Sequence, residues 1–411
     1  MSRRDALRLL LLKRVGALLR PPLIPSPPFL LQPPVYGGLG GEGRGCPPEA
    51  SGGEARSEAP RPRVLLIRPD HLGDLLFLTP ALRFLRERLP EAHLTALVGP
   101  WGRPVLEGNP CLDEIRTTPF PGFTRQPKGW PWAPYALLLR AAGELRRGRF
   151  DAAVILRFDH WWGAWLARMA GIPCCLGYDV PATRPFLTAP VPYRPGRHEV
   201  LQNLSLMRAL VGVEGEDPRP GESPMEFPIS PAAVGRVEAL LGHEARPLVC
   251  IHPGAGATVK QWPPERWAQV ADALIEGAGV RVVLTGGPGE LSLAWRVAAH
   301  MRGEARVLAG ETDLGELAAC FARASLVLGS DSGPLKLAQA VGAKTVHLYG
   351  PVDVRAFGPW GDPAAYRAVV SPLACVPCNR LDYPSDELAA HPCMTAISVE
   401  AVLAAARELI R

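Results

Sequence analysis

Long hydrophobic runs are absent from the N-terminal segment of this 411-residue sequence. In residues 1–20 the longest apolar run has four residues, Leu9 to Leu12, whereas a membrane-spanning helix needs about 18. Charged residues interrupt the segment and no clear cleavage site follows it, which argues against a secretory signal peptide. Its six basic side chains among leucines are typical of a helix lying on an anionic membrane surface, or else of an extension without ordered structure.

A large excess of one charge and a regular cysteine pattern are also lacking. The chain carries 45 Lys and Arg against 40 Asp and Glu, and the clearest basic cluster is the short N-terminal one. Nucleic acid is therefore not an expected partner. The nine cysteines are odd in number and irregularly spaced, so we expect a reducing, cytoplasmic location without disulfides.

Two common nucleotide-binding signatures are missing as well. Neither half of the chain has G-x-G-x-x-G in the dinucleotide position, and G-x-x-x-x-G-K-[ST] does not occur. A nicotinamide or flavin cofactor and a P-loop NTPase are therefore disfavoured. Proline and glycine are abundant, and eleven Pro and eight Gly fall in residues 21–62, which predicts a flexible linker outside the fold.

The remaining sequence repeats one pattern twice. An apolar run at 64–67 predicts a buried parallel strand, followed by a loop, a helix and another strand. The pattern starts again at 248–252, after a Pro-rich linker. This alternation predicts an α/β fold of two Rossmann-like, doubly wound domains facing a central cleft. We place these domains at residues 63–220 and 221–411, with residues 1–62 as the N-terminal extension.

Two stretches of the second half are suited to binding an anion. Residues 330–336 open a helix, whose free N–H groups and dipole attract phosphate, and residues 252–262 form a Gly-rich loop that ends near a lysine. A simple helix N-cap and a solvated loop are the plainer interpretations. The donor-phosphate residues predicted here are Gly254, Ala255, Gly256, Thr258, Lys260, Asp331, Ser332, Gly333, Pro334 and Lys336.

Asp74 is the candidate acid–base residue of the first half. It follows Gly73 in the loop after the first strand, where ligands of doubly wound sheets bind. It is either a first-turn acid of the next helix or a carboxylate that faces the phosphates and accepts a proton.

Together these stretches resemble glycosyltransferase family 9, the family of ADP-heptose:lipopolysaccharide heptosyltransferases. The similarity covers the chain from residue 63 onward. The matching stretches are 64–81, 251–267, 284–290, 328–349 and 375–397.

The resemblance implies a GT-B fold and an inverting, metal-independent transfer of heptose or a related sugar. The donor would be a nucleotide-diphosphate sugar, ADP-linked in the family, and the acceptor a cell-envelope glycan or lipopolysaccharide. It implies that Asp74 is the general base, that Lys260 neutralises phosphate and that Asp331 lies near the donor sugar. The residues it places at the nucleotide ribose or base are Gly286, Gly287 and Glu290.

The sequence departs from the family pattern in two places. Lys336 stands where many members have histidine. A family cluster that often has four cysteines is reduced to three, with two further residues as candidate fourth ligands, so we expect no bound metal and keep zinc as the alternative. The zinc candidates are Cys375, Cys378, Cys393, Asp382 and His391.

Two other functions fit the same residues. A nucleotide-sugar epimerase of the GT-B type would use the same phosphate site without an acceptor, and a non-catalytic member could act as a scaffold at a membrane. The Pro- and Trp-rich insertion at 112–134 and the cluster of Trp161, Trp162 and Trp165 either shape the acceptor side or pack in the core.

Overall fold

The computed structural model describes residues 61–124, 130–242, 244–384 and 387–410. The N-terminal segment and linker, for which a membrane-surface helix and a flexible connection are predicted, lie outside the described residues. Within the described residues, no helix has the length and apolar character needed to cross a membrane.

The first half of the chain forms a parallel six-stranded sheet in the order β3-β2-β1-β4-β5-β6. Its strands are β1 (Arg63–Arg68), β2 (His93–Val98), β3 (Glu114–Thr117), β4 (Ala152–Ile155), β5 (Cys174–Tyr178) and β6 (Ala189–Val191). Its helices are α1 (Leu72–Leu76), α2 (Thr79–Arg88), α3 (Arg103–Leu106), α4 (Ala133–Arg146), α5 (Trp161–Met169) and α6 (Glu199–Val211).

The second half forms another parallel six-stranded sheet, in the order β12-β11-β10-β7-β8-β9. Its strands are β7 (Leu248–His252), β8 (Arg281–Leu284), β9 (Ala305–Val307), β10 (Leu326–Ser330), β11 (Thr345–Tyr349) and β12 (Tyr366–Val370). Its helices are α7 (Pro231–Leu241), α8 (Pro264–Ala278), α9 (Leu291–His300), α10 (Leu314–Ala322), α11 (Gly333–Ala340), α12 (Val354–Phe357) and α13 (Val399–Ile410).

Counted from its own first strand, each sheet has the order 3-2-1-4-5-6, which is the doubly wound arrangement. The predicted α/β fold of two Rossmann-like halves is therefore confirmed. The central strands β1, β4, β7 and β10 are almost wholly buried, because helices cover both faces of each parallel sheet and leave no polar side.

Helix α8 shows how the sequence periodicity produces this packing. Trp267, Val270, Ala271 and Leu274 recur at helical spacing and are all buried. The helix ends at Gly279, whose φ of 60° is left-handed and is readily adopted by glycine.

Some element boundaries differ from the predictions. The helix predicted after Asp74 is two helices, α1 and α2, separated at Phe77 and Leu78. Strand β3 lies in the segment interpreted as an insertion. It is at the edge of its sheet, and its four residues are only partly buried or exposed. An edge strand does not need the continuous apolar run that marks a central strand, so this segment carries no such signal.

Candidate active site

A cleft of about 1280 Å³ lies between the two halves and is lined by residues of both. The first half contributes the loop and helix α1 after β1, and the loop after β4. The second half contributes the loops after β7 and β10. These loops follow the carboxyl ends of central strands, where doubly wound folds bind ligands.

Asp74 lies in the first turn of α1 and lines the cleft, with 32 % of its side chain exposed there. Its Oδ1 is 3.6 Å from Nη2 of Arg68, which is too long for a tight ion pair. Burial in the cleft wall, followed by the Asp70 carboxylate, raises the pKa of Asp74 to about 7, against the opposing effect of Arg68. A carboxylate that titrates near neutral pH is suited to accept a proton from a hydroxyl group.

The guanidinium of Arg68 is the buried centre of the charges behind Asp74. Its Nε lies 2.6 Å from Asp70 and its Nη2 lies 2.7 Å from Glu199. Arg157 also contacts Asp70, at 2.5 Å. Because the guanidinium of Arg68 pairs with several carboxylates, it stabilises the ionised form of Asp74 only in part.

The N-termini of α1 and α11 meet across the cleft through two glycines. A Cβ atom on Gly73 would lie 3.4 Å from the Cα of Gly333, and a Cβ on Gly333 would lie 2.9 Å from the Cβ of Leu72. A side chain at position 333 would therefore push the two helices apart. This contact places Asp74 opposite the start of α11.

The start of α11 carries polar groups without partners among the described residues. Ser332 is the N-cap residue, but its side chain forms no capping hydrogen bond. Its Oγ atom is buried and has no hydrogen-bond partner among the described residues. Pro334 occupies the first turn, as predicted. The free N–H groups, the helix dipole and this hydroxyl together suit a phosphate oxygen.

Two lysines flank Asp331 at the same place. Lys260 Nζ is 3.1 Å from one carboxylate oxygen and Lys336 Nζ is 3.3 Å from the other. Burial opposes ionisation of Asp331, but the two ammonium groups outweigh it and lower its pKa. Asp331 is therefore charged at neutral pH, and Lys260 is the more accessible of its two partners.

Lys336 lines the cleft but is almost completely enclosed. Its ammonium group donates to the hydroxyl of Tyr349 and to the carbonyl of Phe357, each at 2.7 Å. Burial lowers the pKa of Lys336 to about 8, although Asp331 opposes the shift. With 3 % of its side chain exposed, Lys336 is positioned to hold Asp331 in place.

Glu290 is held at the far wall of the cleft by the loop that precedes α9. Its Oε2 accepts a hydrogen bond of 2.8 Å from the backbone N–H of Gly287 and lies 3.5 Å from Nε2 of His252. A Cβ atom on Gly254 would lie 1.9 Å from Oε1 of Glu290, so a side chain there would displace the Glu290 carboxylate. Gly286 also packs against the Glu290 side chain.

Most of the predicted site residues are brought together in the cleft. The cleft-lining members are Asp74, Ala255, Gly256, Lys260, Glu290, Asp331, Ser332, Gly333, Pro334 and Lys336. Four predicted residues do not line the cleft: Gly254, Gly286 and Gly287 contact Glu290, and Thr258, which is exposed, begins the short turn that carries Lys260.

The sequence reasoning missed the polar partners of Asp74. Arg68 is the last residue of β1, Asp70 follows it closely, and Arg157 follows β4, so each lies at the carboxyl end of a central strand. This position at the end of a strand was the sequence signal by which these three residues could have been identified. Glu199 comes from α6, far along the chain, and gave no local signal.

The cysteine and tryptophan clusters have different surroundings. Cys375 and Cys378 are exposed, whereas Cys393 is buried. The described residues contain no group of three or more His, Cys, Asp or Glu that could hold a metal ion. Trp162 is buried in the core of the first half, and Trp161 and Trp165 pack against that core.

The cleft therefore brings a carboxylate of one half, Asp74, opposite a helix N-terminus and two lysines of the other half. Residues 121–387 match the profile of glycosyltransferase family 9 (heptosyltransferase). The chain belongs to this family and is a glycosyltransferase.

Individual relatives show the same similarity. The chain is 28 % identical over 300 residues to lipopolysaccharide heptosyltransferase 3 of Escherichia coli, covering 71 % of this chain and 84 % of that protein. It is 24 % identical over 307 residues to lipooligosaccharide heptosyltransferase 2 of Haemophilus ducreyi, with the same coverage of each chain.

Solved structures agree on the fold. A family 9 glycosyltransferase from Veillonella parvula superposes with a TM-score of 0.70 at 25 % identity, covering 87 % of this chain and 99 % of that chain. The E. coli ADP-heptose lipopolysaccharide heptosyltransferase II superposes with a TM-score of 0.66 at 22 % identity, covering 85 % and 98 %. The expected GT-B fold is confirmed.

Proposed function

We propose that this glycosyltransferase transfers heptose or a related sugar from an ADP-linked donor to a lipopolysaccharide-type acceptor, with inversion and without a metal ion. The observation that carries the proposal is the placement of Asp74 opposite the start of α11 and Lys260 in one cleft. The relatives named as lipopolysaccharide heptosyltransferases, and the E. coli heptosyltransferase WaaC solved with ADP, supply the substrate class.

In this proposal each half has its own task. Residues 63–220 bind the acceptor and residues 221–411 bind the nucleotide sugar. Glu290 accepts hydrogen bonds from the nucleotide ribose, supported by the glycines behind it. The protein works at the cytoplasmic face of the membrane as a peripheral enzyme.

The chemistry follows from the charges across the cleft. Asp74 takes the proton of the acceptor hydroxyl while the oxygen of that hydroxyl attacks the anomeric carbon of the donor sugar from the face opposite the diphosphate. Negative charge then develops on the leaving diphosphate. Lys260 and the N–H groups at the start of α11 stabilise that charge where it appears, which is the role a metal ion has in other transferases.

The test separates transfer from donor binding. Asp74→Asn keeps the shape of the side chain but removes the base, so we expect the transfer rate to fall about 10²- to 10⁴-fold with donor affinity unchanged. Calorimetry with ADP measures binding, and NMR of the product shows whether the anomeric configuration is inverted. Full activity of Asp74→Asn, retention of configuration, or loss of activity in a metal chelator would each refute the corresponding part of the proposal.

The same assay distinguishes the epimerase alternative. Transfer releases free ADP together with a new glycoside, whereas an epimerase changes the donor sugar without an acceptor. A product that forms only when acceptor is present supports the transferase.

A further inference from the structure

One surface of the first half exposes several large apolar side chains close together. We call Trp130, Trp132, Tyr135 and Leu139 the aromatic patch. Trp130, Trp132 and Leu139 are 69 %, 62 % and 61 % exposed, and Tyr135 is 39 % exposed. Such a cluster on a protein surface marks an interaction site more often than an isolated apolar residue does.

The aromatic patch is distinct from the packed side of α4. That helix buries Leu138, Ala141, Ala142 and Leu145 against the first-half core. Leu139, one turn after Tyr135 on α4, lies outside this core, whereas the ring of Tyr135 contacts the edge of the core through Trp165 at a centroid distance of 6.0 Å. The exposed residues are therefore available to a partner without any change in the core.

The topology places the aromatic patch at the same edge of the sheet as the cleft. Helix α4 leads from β3 to β4, and in a parallel sheet such a helix begins beside the carboxyl ends of the strands. A hydrogen bond of 3.2 Å from Nε1 of Trp162 to the carbonyl of Pro134 fixes this end of α4 to α5. Helix α5 itself follows the loop that carries Arg157 into the cleft.

Basic side chains accompany the aromatic patch. Along α4 and the turn after it, four exposed arginines face solvent against one exposed glutamate, Glu144. Tryptophan and tyrosine favour the boundary between lipid and water, and arginine favours anionic headgroups. The arginines are Arg140, Arg146, Arg147 and Arg149.

We infer that the aromatic patch and its arginines dock this enzyme onto an anionic lipid bilayer, with the cleft opening close to the headgroups. This inference extends the proposed function and rests on its choice of acceptor, since a lipopolysaccharide-type acceptor is itself anchored in a membrane. Leu139 and the arginines extend along α4 away from its cleft-side end. A bilayer surface contacts such an extended area, whereas a sugar subsite needs only the aromatic rings beside the cleft.

The experiment compares binding to two kinds of vesicle. Full-length protein is sedimented with phosphatidylcholine vesicles that contain about 30 % phosphatidylglycerol, and with vesicles of phosphatidylcholine alone. The test variant is W130A/W132A, and the matched control is W295A, which removes a tryptophan that is 58 % exposed on α9 of the other half. We expect W130A/W132A to bind the anionic vesicles at least about tenfold more weakly and W295A to bind like the wild type.

Several results would overturn the inference. These are equal binding of the two vesicle types, equal losses in W130A/W132A and W295A, or wild-type binding by W130A/W132A. A full-length R3S/R4S/R8S variant examines the N-terminal segment separately. If only that variant loses binding, the aromatic patch is not the docking surface.

An activity comparison separates this inference from the proposed function. With a short, water-soluble acceptor, W130A/W132A should retain the wild-type rate; with the acceptor embedded in anionic vesicles, its rate should fall about tenfold. A loss with the soluble acceptor as well would identify the patch as a glycan subsite and overturn docking. If no variant or wild type transfers sugar, the proposed function fails, while the sedimentation result still decides whether the patch binds lipid.

Discussion

The two halves of the molecule have the same strand order, but different chemical groups lie at the carboxyl ends of their strands. In the first half the loops after β1 and β4 hold a dense ionic network around Arg68, with Asp74 at its margin. In the second half the loops after β7 and β10, together with the first turn of α11, hold glycines, helix N-terminal N–H groups and two lysines around Asp331. The strand order fixes where chemistry can occur, and short loop sequences decide which chemistry it is.

The second half can be tested by removing its accessible cation. Lys260→Ala should lower kcat about 10²- to 10³-fold, because charge on the leaving diphosphate loses a preorganised partner. Donor affinity should fall as well. Steady-state kinetics and calorimetry with ADP measure both effects. Lys344→Ala is the control, since Lys344 lies away from the cleft and donates to the carbonyl of Leu409. Equal rates for Lys260→Ala and the control would exclude Lys260 from the site.

The contact between the halves can be tested with a pair of glycine substitutions. Gly333→Ala brings a Cβ atom within 2.9 Å of Leu72 and should lower kcat/KM about tenfold by displacing α1 from α11. Gly73→Ala makes contacts of 3.4 and 3.5 Å and should have a smaller effect. The two variants differ only in which side of the contact gains a methyl group. A larger effect at position 73 would contradict this geometry.

The ionic network around Asp74 in the first half predicts how kcat/KM depends on pH. Asp74 must be deprotonated to act as the base, so kcat/KM should fall about tenfold per pH unit below its pKa of about 7. Glu199→Gln removes a carboxylate that raises this pKa and releases Arg68 toward Asp74, so the acid limb should move to lower pH. Profiles of both proteins from pH 5.5 to 8.5, a range of about three units around that value, measure the shift. An acid limb that stays in place would assign the titration to another group.

The smallest effect is expected at the nucleotide end of the second half. Glu290→Gln keeps the side chain's size but weakens its hydrogen bonds to the ribose, so donor KM should rise about fivefold with little change in kcat. Competition between ADP and ADP-sugar checks whether the loss lies in nucleotide binding. A fall in kcat without a change in KM would place Glu290 in the reaction rather than in donor recognition.

Most of the fold was predictable because its signals are local. Runs such as 64–67 and 248–251 are apolar throughout, and both lie in strands that are fully or nearly fully buried. Strand β3 was missed because an edge strand needs no continuous apolar run. The break between α1 and α2 was missed because Phe77 and Leu78 are as apolar and as buried as their neighbours.

The residues of the candidate site likewise fall into those that local sequence patterns predict and those that only tertiary packing brings together. Asp74, Lys260 and Ser332 follow strands at short spacing, so the sequence predicted their shared edge, and all three line the cleft. Glu199 reaches Arg68 from 131 positions away, and no local pattern indicates such a pair. The enclosure of Lys336 by Tyr349 and Phe357 likewise depends on tertiary packing. Sequence spacing predicted which of these groups line the cleft but not the side chains that surround them.

The salt bridge between Lys260 and Asp331 has a consequence for selectivity among cellular anions. Lys260 is paired with Asp331, so an anion that contacts this lysine competes with a carboxylate already beside it. A diphosphate brings two adjacent charges and can occupy the lysine and the start of α11 at once. Under the proposed function, the internal carboxylate disfavours anions that contact the lysine alone and favours a diphosphate that also reaches the start of α11.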